Sequence, residues 1–356
     1  MKFIIPALAS FFLTAVLMPL VIHLAKACRC IDVPGARRLH KKATPRWGGV
    51  AFFAGLLPVV MYANGGGALT AYVAASSLLI MGGVVDDLRE LGWKIKFAWM
   101  AVAATILIYG GGAQIQQVGS YGAFGVIDLG WFSIPFTYLC IIGVTNAINL
   151  LDGLDGLAGG VSLIGFLFLG IAAILTGNPV VATVCFGFVG ALGGFLLYNF
   201  PSAKVFMGDS GSTFLGFSLA YVAICLTQQG AQSVDVLFPV LLLLLPIFDT
   251  LWVLVVRLAH GRNPFVGDNS HLHYLIVQRT NVSPVRAVLV LWALTALFGL
   301  FALALVGCTS STYLVIVINA VALLGMTARS LAKSRAEVFP EPAKVCPENG
   351  AVARGE

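Results

Sequence analysis

Four polar residues stand three apart in the run TNAINLLDGLDGLAGG: Asn146, Asn149, Asp152 and Asp155. On a continuous helix each step of three turns a side chain by roughly 300°, so the four would form one slowly drifting stripe of amides and carboxylates. Such a stripe suits a cation, sugar hydroxyls or a base. It falls in a chain that is otherwise strongly apolar, where polar groups without partners are costly. Three further segments carry chemistry that could join it. Asp86 and Asp87 end an apolar stretch in MGGVVDDLRELGWKIKF; adjacent carboxylates repel unless a cation sits between them, which suits a proton acceptor or a metal site. YNFPSAKVFMGDSGSTFLGF places Asp209 between glycines at the start of another apolar stretch. A Gly-rich turn opening a helix there would favour phosphate and leave the carboxylate available to a metal. RLAHGRNPFVGDNSHLHYLIVQR carries His271 and His273, which share a face in an extended segment and with Arg257 and Arg262 have the donors to grip a pyrophosphate.

Each of these has a plainer reading. The aspartate pair would be at home on a solvated helix end, and Asp209 or its neighbouring serine would serve as an N-cap. The histidine pair would suit a transition metal or an idle loop, and Asp249, beside Pro246, would cap a helix or prop a kink. GDSG also occurs around the nucleophile of serine proteases, but that chemistry needs a histidine base and an orienting acid on a soluble scaffold. The seven cysteines are scattered, and Cys28 with Cys30 has neither the spacing nor the partners of a zinc site.

The elements that must hold these groups are membrane helices. The chain has 356 residues, 59% of them hydrophobic and only 10% charged, with a mean hydropathy of +0.95; soluble domains carry about 25% charged residues. Apolar stretches near the length that crosses a bilayer fall at about 3–25, 48–64, 67–85, 95–112, 132–148, 157–176, 178–198, 211–228, 235–256, 285–307 and 311–328. The expectation is an all-α polytopic membrane protein with about eleven spans. It would form a single integral domain over 1–330, followed by a charged, proline-containing tail over 331–356 that is disordered after a short helical extension.

Parity gives an independent check, because eleven alternating spans put every second loop on the same side. Of the 21 lysines and arginines, all but Lys2 then fall on one face, which the positive-inside rule makes cytoplasmic, with the N-terminus outside and the C-terminus inside. Asp32, Asp86, Asp87, Glu90, Asp152, Asp155, Asp209, Asp249 and Asp268 gather at the same face. An ion-coupled transporter would instead place acids near mid-bilayer and show repeated halves, and the sequence shows neither. The first span is followed by a dense basic segment, a stop-transfer pattern that argues for its retention as a helix.

Five segments in order, DVPGARRLHKKATPRWGGVAFF, GGVVDDLRELGWKIKF, NAINLLDGLDGLAGG, YNFPSAKVFMGDSGSTFLGF and PIFDTLWVLVVR followed by PF, Asp268 and HLHY, resemble the polyprenyl-phosphate N-acetylhexosamine-1-phosphate transferases. That superfamily also contains phospho-MurNAc-pentapeptide translocase. The resemblance runs from about residue 32 to 279. It implies transfer of a sugar 1-phosphate, most simply GlcNAc-1-phosphate, from a UDP-N-acetylhexosamine to undecaprenyl phosphate, with release of UMP. It implies Mg²⁺, or alternatively Mn²⁺, as cofactor, with Asp209 and Asn149 as its ligands. Asp86 or Asp87 would handle the acceptor phosphate, and Lys96 would be a cation for phosphate. Asp152 and Asp155 would belong to the nucleotide site, Asn146 would be a further substrate-binding residue, and Arg257, His271 and His273 would belong to the loop that contacts the donor's sugar and pyrophosphate. The protein would sit in a bacterial inner membrane with its active site on the cytoplasmic face. There it would start a lipid-linked envelope polysaccharide such as O-antigen or teichoic acid, with lipid and the two substrates as partners, no nucleic acid, and a homodimer left open. Tyr274 stands where the family has a second histidine, Asn269 where arginine is common and Met100 where glutamine is frequent. The chain also lacks the acid that follows the histidines in the translocase, which favours a free amino sugar over a UDP-MurNAc-pentapeptide donor.

Overall fold

The computed structural model describes residues 2–33, 43–229, 234–261, 263, 271–280 and 282–338. Thirteen helices occupy these residues: α1 Ile4–Ala27, α2 Gly48–Tyr62, α3 Gly66–Arg89, α4 Trp93–Thr105, α5 Ser133–Leu151, α6 Leu157–Leu175, α7 Pro179–Asn199, α8 Gly208–Gln228, α9 Leu237–Leu242, α10 Leu244–Ala259, α11 Leu272–Thr280, α12 Pro284–Ala304 and α13 Ser310–Val338. Two small antiparallel ribbons join them, Ile31–Asp32 (β1) with Thr44–Pro45 (β2) and Gln117–Ser120 (β3) with Val126–Asp128 (β4).

Among the described residues eight helices are long and apolar enough to cross a membrane: α1, α3, α5, α6, α7, α8, α12 and α13. The chain is therefore a multi-pass helical membrane protein. The other three expected spans are helical but irregular. α2 has only 15 residues, and α4 reaches spanning length by running into a π-helical turn over Ile106–Gly110. The stretch at 235–256 breaks at Leu243 into α9 and α10, just before Pro246, whose missing N–H is tolerated in a first helical turn. α13 carries the expected extension of the last span to Val338, and the rest of the tail lies outside the described residues.

α8 is the centre of the bundle. Within its apolar window 89% of residues are buried, against 11% for α13, whose outer side is left to lipid. Small residues let neighbouring backbones close on α8, as membrane helices do in the absence of a hydrophobic drive between them. A Cβ added at Gly49 of α2 would fall 2.3 Å from the Gly211 backbone, and one at Gly83 of α3 2.3 Å from Ser210 Cα. These two contacts bring the ends of α2 and α3 against the first turn of α8, where Asp209 stands.

Two groups of described loop residues gather at different places on the bundle. At one end the Gln228 side chain bonds the backbone of Gln116 and Gln117, Ser120 N–H donates to Ser310 Oγ, and the Ser310 hydroxyl donates to Asp235. At the other end the β1–β2 ribbon, the end of α3 and the start of α8 come together, and Gly48 N–H reaches Phe206 O at 2.9 Å.

Candidate active site

The site is built where four helix ends meet. α3 stops at Arg89, with Glu90 turned into the left-handed region at φ 48°, and its last turn presents both aspartates. Asp86 Oδ1 accepts from Leu91 N–H at 2.7 Å and so closes the turn, while Oδ2 meets Lys96 Nζ at 2.5 Å. A cation in the first turn of α4 opposes the helix dipole, and here two carboxylates offset it, because Lys96 also reaches Asp209 Oδ2 at 2.9 Å.

Asp87 does something different from its neighbour. α8 begins at Gly208 after Met207, which supplies no side-chain cap. Asp87 supplies the cap from α3 instead: Oδ1 accepts from Asp209 N–H at 2.9 Å, and Oδ2 from the Ser210 hydroxyl at 3.1 Å and Ser210 N–H at 3.4 Å. This corrects the expectation that the amides opening α8 are open to a phosphate, since a buried carboxylate already takes those of Asp209 and Ser210. It also corrects the plainer reading that Asp209 or a neighbouring serine caps its own helix.

The four-residue stripe is corrected as well. α5 ends at Leu151, and Asp152 at ψ 57° leaves the helix, so Asp152 and Asp155 sit on a turn rather than on the face that carries Asn146 and Asn149. The cause is local: Gly156 adopts φ +78° to open α6, and a Cβ there would meet the Phe200 ring at 2.5 Å. The turn is pinned from α7, where Asn199 Oδ1 accepts from Gly156 N–H at 2.8 Å and Asn199 Nδ2 donates to Val205 O at 2.8 Å. Asp155 Oδ2 accepts from Ala203 N–H at 2.9 Å. Asn149, in the last turn of α5, donates through Nδ2 to Asp209 Oδ1 at 2.7 Å and to Ser212 Oγ at 2.8 Å.

These elements enclose a cavity of about 460 Å³, lined among others by Asp87, Asn149, Asp152, Asp155, Asp209 and Tyr274. Asp32, Arg46 and Ser212 also line it and were not among the site residues expected from sequence. Asp32 and Arg46 lie in the quoted N-terminal motif, so the signal was present but carried no assignment. Burial, and then the charges of Asp209, Asp87 and Asp155, push the pKa of Asp152 up to about 7. Asp86, Lys96 and Asp209 border a separate small recess walled by Leu79, Gly82, Gly83, Trp99 and Met100. Asp209 thus stands between a polar cavity and an apolar recess, and Asn146 lines neither.

The histidines stand behind the cavity wall. Asp249 of α10 accepts from Leu272 N–H at 2.6 Å, capping α11, and its other oxygen lies 2.9 Å from His271 Nδ1. His271 and His273 stack with ring centroids 5.6 Å apart, so they share a face even though a helix starts between them. Both are buried, and neither lines the cavity. Burial holds the His273 pKa at about 4, so the ring is neutral near pH 7 and is no cationic grip for pyrophosphate, which corrects that part of the expectation. It abuts Gly153, where an added Cβ would lie 2.3 Å from Nε2. Arg257 is buried on α10 away from the cavity lining, and Arg262 and Asp268 lie outside the described residues.

Oxygen donors that fit a hard divalent cation face the cavity around Asp209. Among the described residues no three His, Cys, Asp or Glu side chains are drawn into a closed metal cage. Mg²⁺ is commonly held by one or two carboxylates together with substrate phosphates, and Asp209 with Asn149 has the donor types that would fit such a site.

The chain is thus a multi-pass helical membrane protein with an acidic, arginine-bearing cavity beside a lysine-bordered apolar recess at one end of its bundle. Residues 69–227 match the model of glycosyl transferase family 4, and the chain belongs to that family. It is 31% identical over 311 residues, covering 86% of each chain, to the "Probable undecaprenyl-phosphate N-acetylglucosaminyl 1-phosphate transferase" of Bacillus subtilis (strain 168). It is 34% identical over 327 residues to the decaprenyl-phosphate N-acetylglucosaminephosphotransferase of Mycolicibacterium smegmatis, covering 82% of this chain and 79% of that one. Against the undecaprenyl-phosphate alpha-N-acetylglucosaminyl 1-phosphate transferase of Escherichia coli (strain K12) the identity is 27% over 305 residues, with 83% and 82% covered.

Proposed function

We propose that this protein transfers N-acetylglucosamine 1-phosphate from UDP-N-acetylglucosamine to undecaprenyl phosphate at the cytoplasmic face of a bacterial inner membrane, releasing UMP. The lipid-linked sugar would start an envelope polysaccharide. The observation that carries the reading is the position of Asp209 between a polar cavity of nucleotide-sugar size and an apolar recess that ends at Lys96 and Asp86. The names of the three relatives support N-acetylglucosamine as the sugar.

In this reading the acceptor phosphate oxygen attacks the β-phosphorus of the donor, and the bond from that phosphorus to the bridging oxygen breaks, so the bridge leaves with UMP. A phosphate monoester is largely ionised near neutral pH, so the attacking oxygen needs no general base. Positioning and charge neutralisation are then the whole task. Lys96 meets the acceptor phosphate, and Asp86 keeps Lys96 extended toward it. Asp87 acts as a positioning residue by fixing the first turn of α8. Asp209 and Asn149 would hold Mg²⁺, which when bound neutralises charge on the transferring phosphoryl group. Asp152 and Asp155 lie on the rigid turn that faces the nucleotide. Asp249, His271 and His273 brace α11 so that Tyr274 closes one side of the cavity, where its ring can pack on a hexose.

The test is to incubate purified protein with Mg²⁺, undecaprenyl phosphate and a panel of UDP-sugars and to measure UMP. Release from UDP-N-acetylglucosamine supports the reading. Release only from UDP-MurNAc-pentapeptide would assign the chain to the other branch of the superfamily.

A further inference from the structure

The cavity poses an electrostatic problem. Five carboxylates line it, those of Asp32, Asp87, Asp152, Asp155 and Asp209, and among the described lining residues there is one cation, Arg46. Lys96 borders the neighbouring recess instead. A nucleotide diphosphate entering this space adds negative charge to an acidic wall, so the guanidinium is the side chain best suited to receive it. Its five N–H donors match two phosphate oxygens at once, a geometry that an ammonium group does not offer.

The backbone delivers Arg46 from a fixed position. Thr44 and Pro45 pair with Asp32 and Ile31. Arg46 N–H donates to Cys30 O at 3.1 Å, Pro45 O accepts from Phe206 N–H at 2.8 Å, and Gly48 N–H donates to Phe206 O. The ribbon is therefore sewn to both the end of α1 and the loop that precedes α8. The side chain is held less tightly. Among the described residues its carboxylate contacts are Asp32 at 3.4 Å and Asp87 at 4.0 Å, both longer than the 2.7–2.9 Å of a strong charge-assisted bond. Asp87 is already engaged by the first turn of α8.

We infer that Arg46 grips the diphosphate of the donor, and that Asp32 holds the guanidinium toward the cavity until the diphosphate takes its place. The inference rests on the reading of the cavity as a nucleotide-sugar site, and it names the group that contacts the donor's charged centre. Among the described residues of the histidine loop, His271 and His273 are buried, and neither they nor Arg257 line the cavity.

The experiment is calorimetric titration of the purified full-length protein with UDP and, separately, with uridine, both in Mg²⁺. Arg46→Gln should lower affinity for UDP about ten- to a hundredfold, the range for a charged hydrogen bond, and leave uridine affinity unchanged. Arg46→Lys, which keeps the charge without the fork, should lie between. Should Arg46→Gln fail to fold, Arg46→Lys decides, through a several-fold loss for UDP without loss for uridine. UDP affinity within twofold of wild type in the variants would overturn the assignment, as would an equal loss for uridine, which would make Arg46 a wall of the pocket. Failure of the wild type to bind either ligand would overturn the functional reading itself, an outcome distinct from the other two.

Discussion

Asp87 is the residue whose role the structure defines most sharply, and its removal should reveal a helix cap donated from another helix. Asp87→Ala deletes the acceptor for Asp209 N–H at 2.9 Å, Ser210 N–H at 3.4 Å and the Ser210 hydroxyl at 3.1 Å. Loss of an N-cap costs about 0.5–2 kcal/mol, and a buried donor left without a partner costs about 1–3 kcal/mol. Relief from burying a carboxylate offsets part of this, leaving a net loss of about 2 kcal/mol. For a chain of this length that corresponds to a fall in Tm of roughly 3 °C, readable by intrinsic fluorescence in detergent. Asp87→Asn keeps one acceptor and should lose about half as much. A double-mutant cycle with Ser210→Ala should show coupling of about 1 kcal/mol, because the two side chains share one hydrogen bond. Activity should fall through kcat, since the Asp209 carboxylate rides on the turn that Asp87 fixes. An Asp87→Ala protein that melts with the wild type yet has lost UDP-sugar binding would refute the reasoning, because Asp87 would then meet substrate instead of holding α8.

Three other outcomes follow from the geometry. Asp209→Asn keeps one oxygen, which can accept from Lys96 or from Asn149 but not from both, and removes a charge from the border of the two pockets; UMP release should fall on the order of a hundredfold with a much smaller proportional effect on Tm. Asp152, with a pKa raised to about 7, binds its proton more tightly when folded than when unfolded. Its stabilising contribution is therefore complete below the unfolded value near 3.8 and is lost as pH rises through about 7, so Asp152→Asn should flatten the decline in Tm between pH 5 and 8 in metal-free buffer. Single cysteines replacing Phe124 and His260 in a Cys-free background should be labelled from opposite sides of sealed vesicles, and labelling from one side would break the proposed topology.

Much of the fold was legible because the bilayer imposes one length scale and one polarity rule on every span. All eleven apolar stretches are helical. The irregular ones, at α2, α4 and α9–α10, are where a short run, a π-helical turn or a proline interrupts that rule. The site was legible as residue types but less so as partnerships. Asp86 and Asp87 are adjacent, yet one pairs with a lysine ten residues on while the other caps a helix 122 residues away; no local pattern encodes the second contact. The stripe from Asn146 to Asp155 failed because the chain leaves the helix at Asp152 and turns at Gly156, which adopts φ +78° to open α6. Asp249 could be read as a cap, but not as the cap of α11, which it meets only through tertiary packing. Arg46 stood in the quoted motif with nothing in its neighbours to show that it would be the cation of an acidic cavity.

The central claim is that phosphoryl transfer occurs at Asp209, with cleavage at the β-phosphorus of the donor. The direct measurement is the identity of both products when purified protein, Mg²⁺, UDP-N-acetylglucosamine and undecaprenyl phosphate react. The account predicts UMP in equal amount to a lipid pyrophosphate bearing the sugar, and neither product in quantity from Asp209→Asn. Release of UDP with a lipid monophosphate sugar would mean that the bond to the sugar carbon breaks instead, and would contradict it.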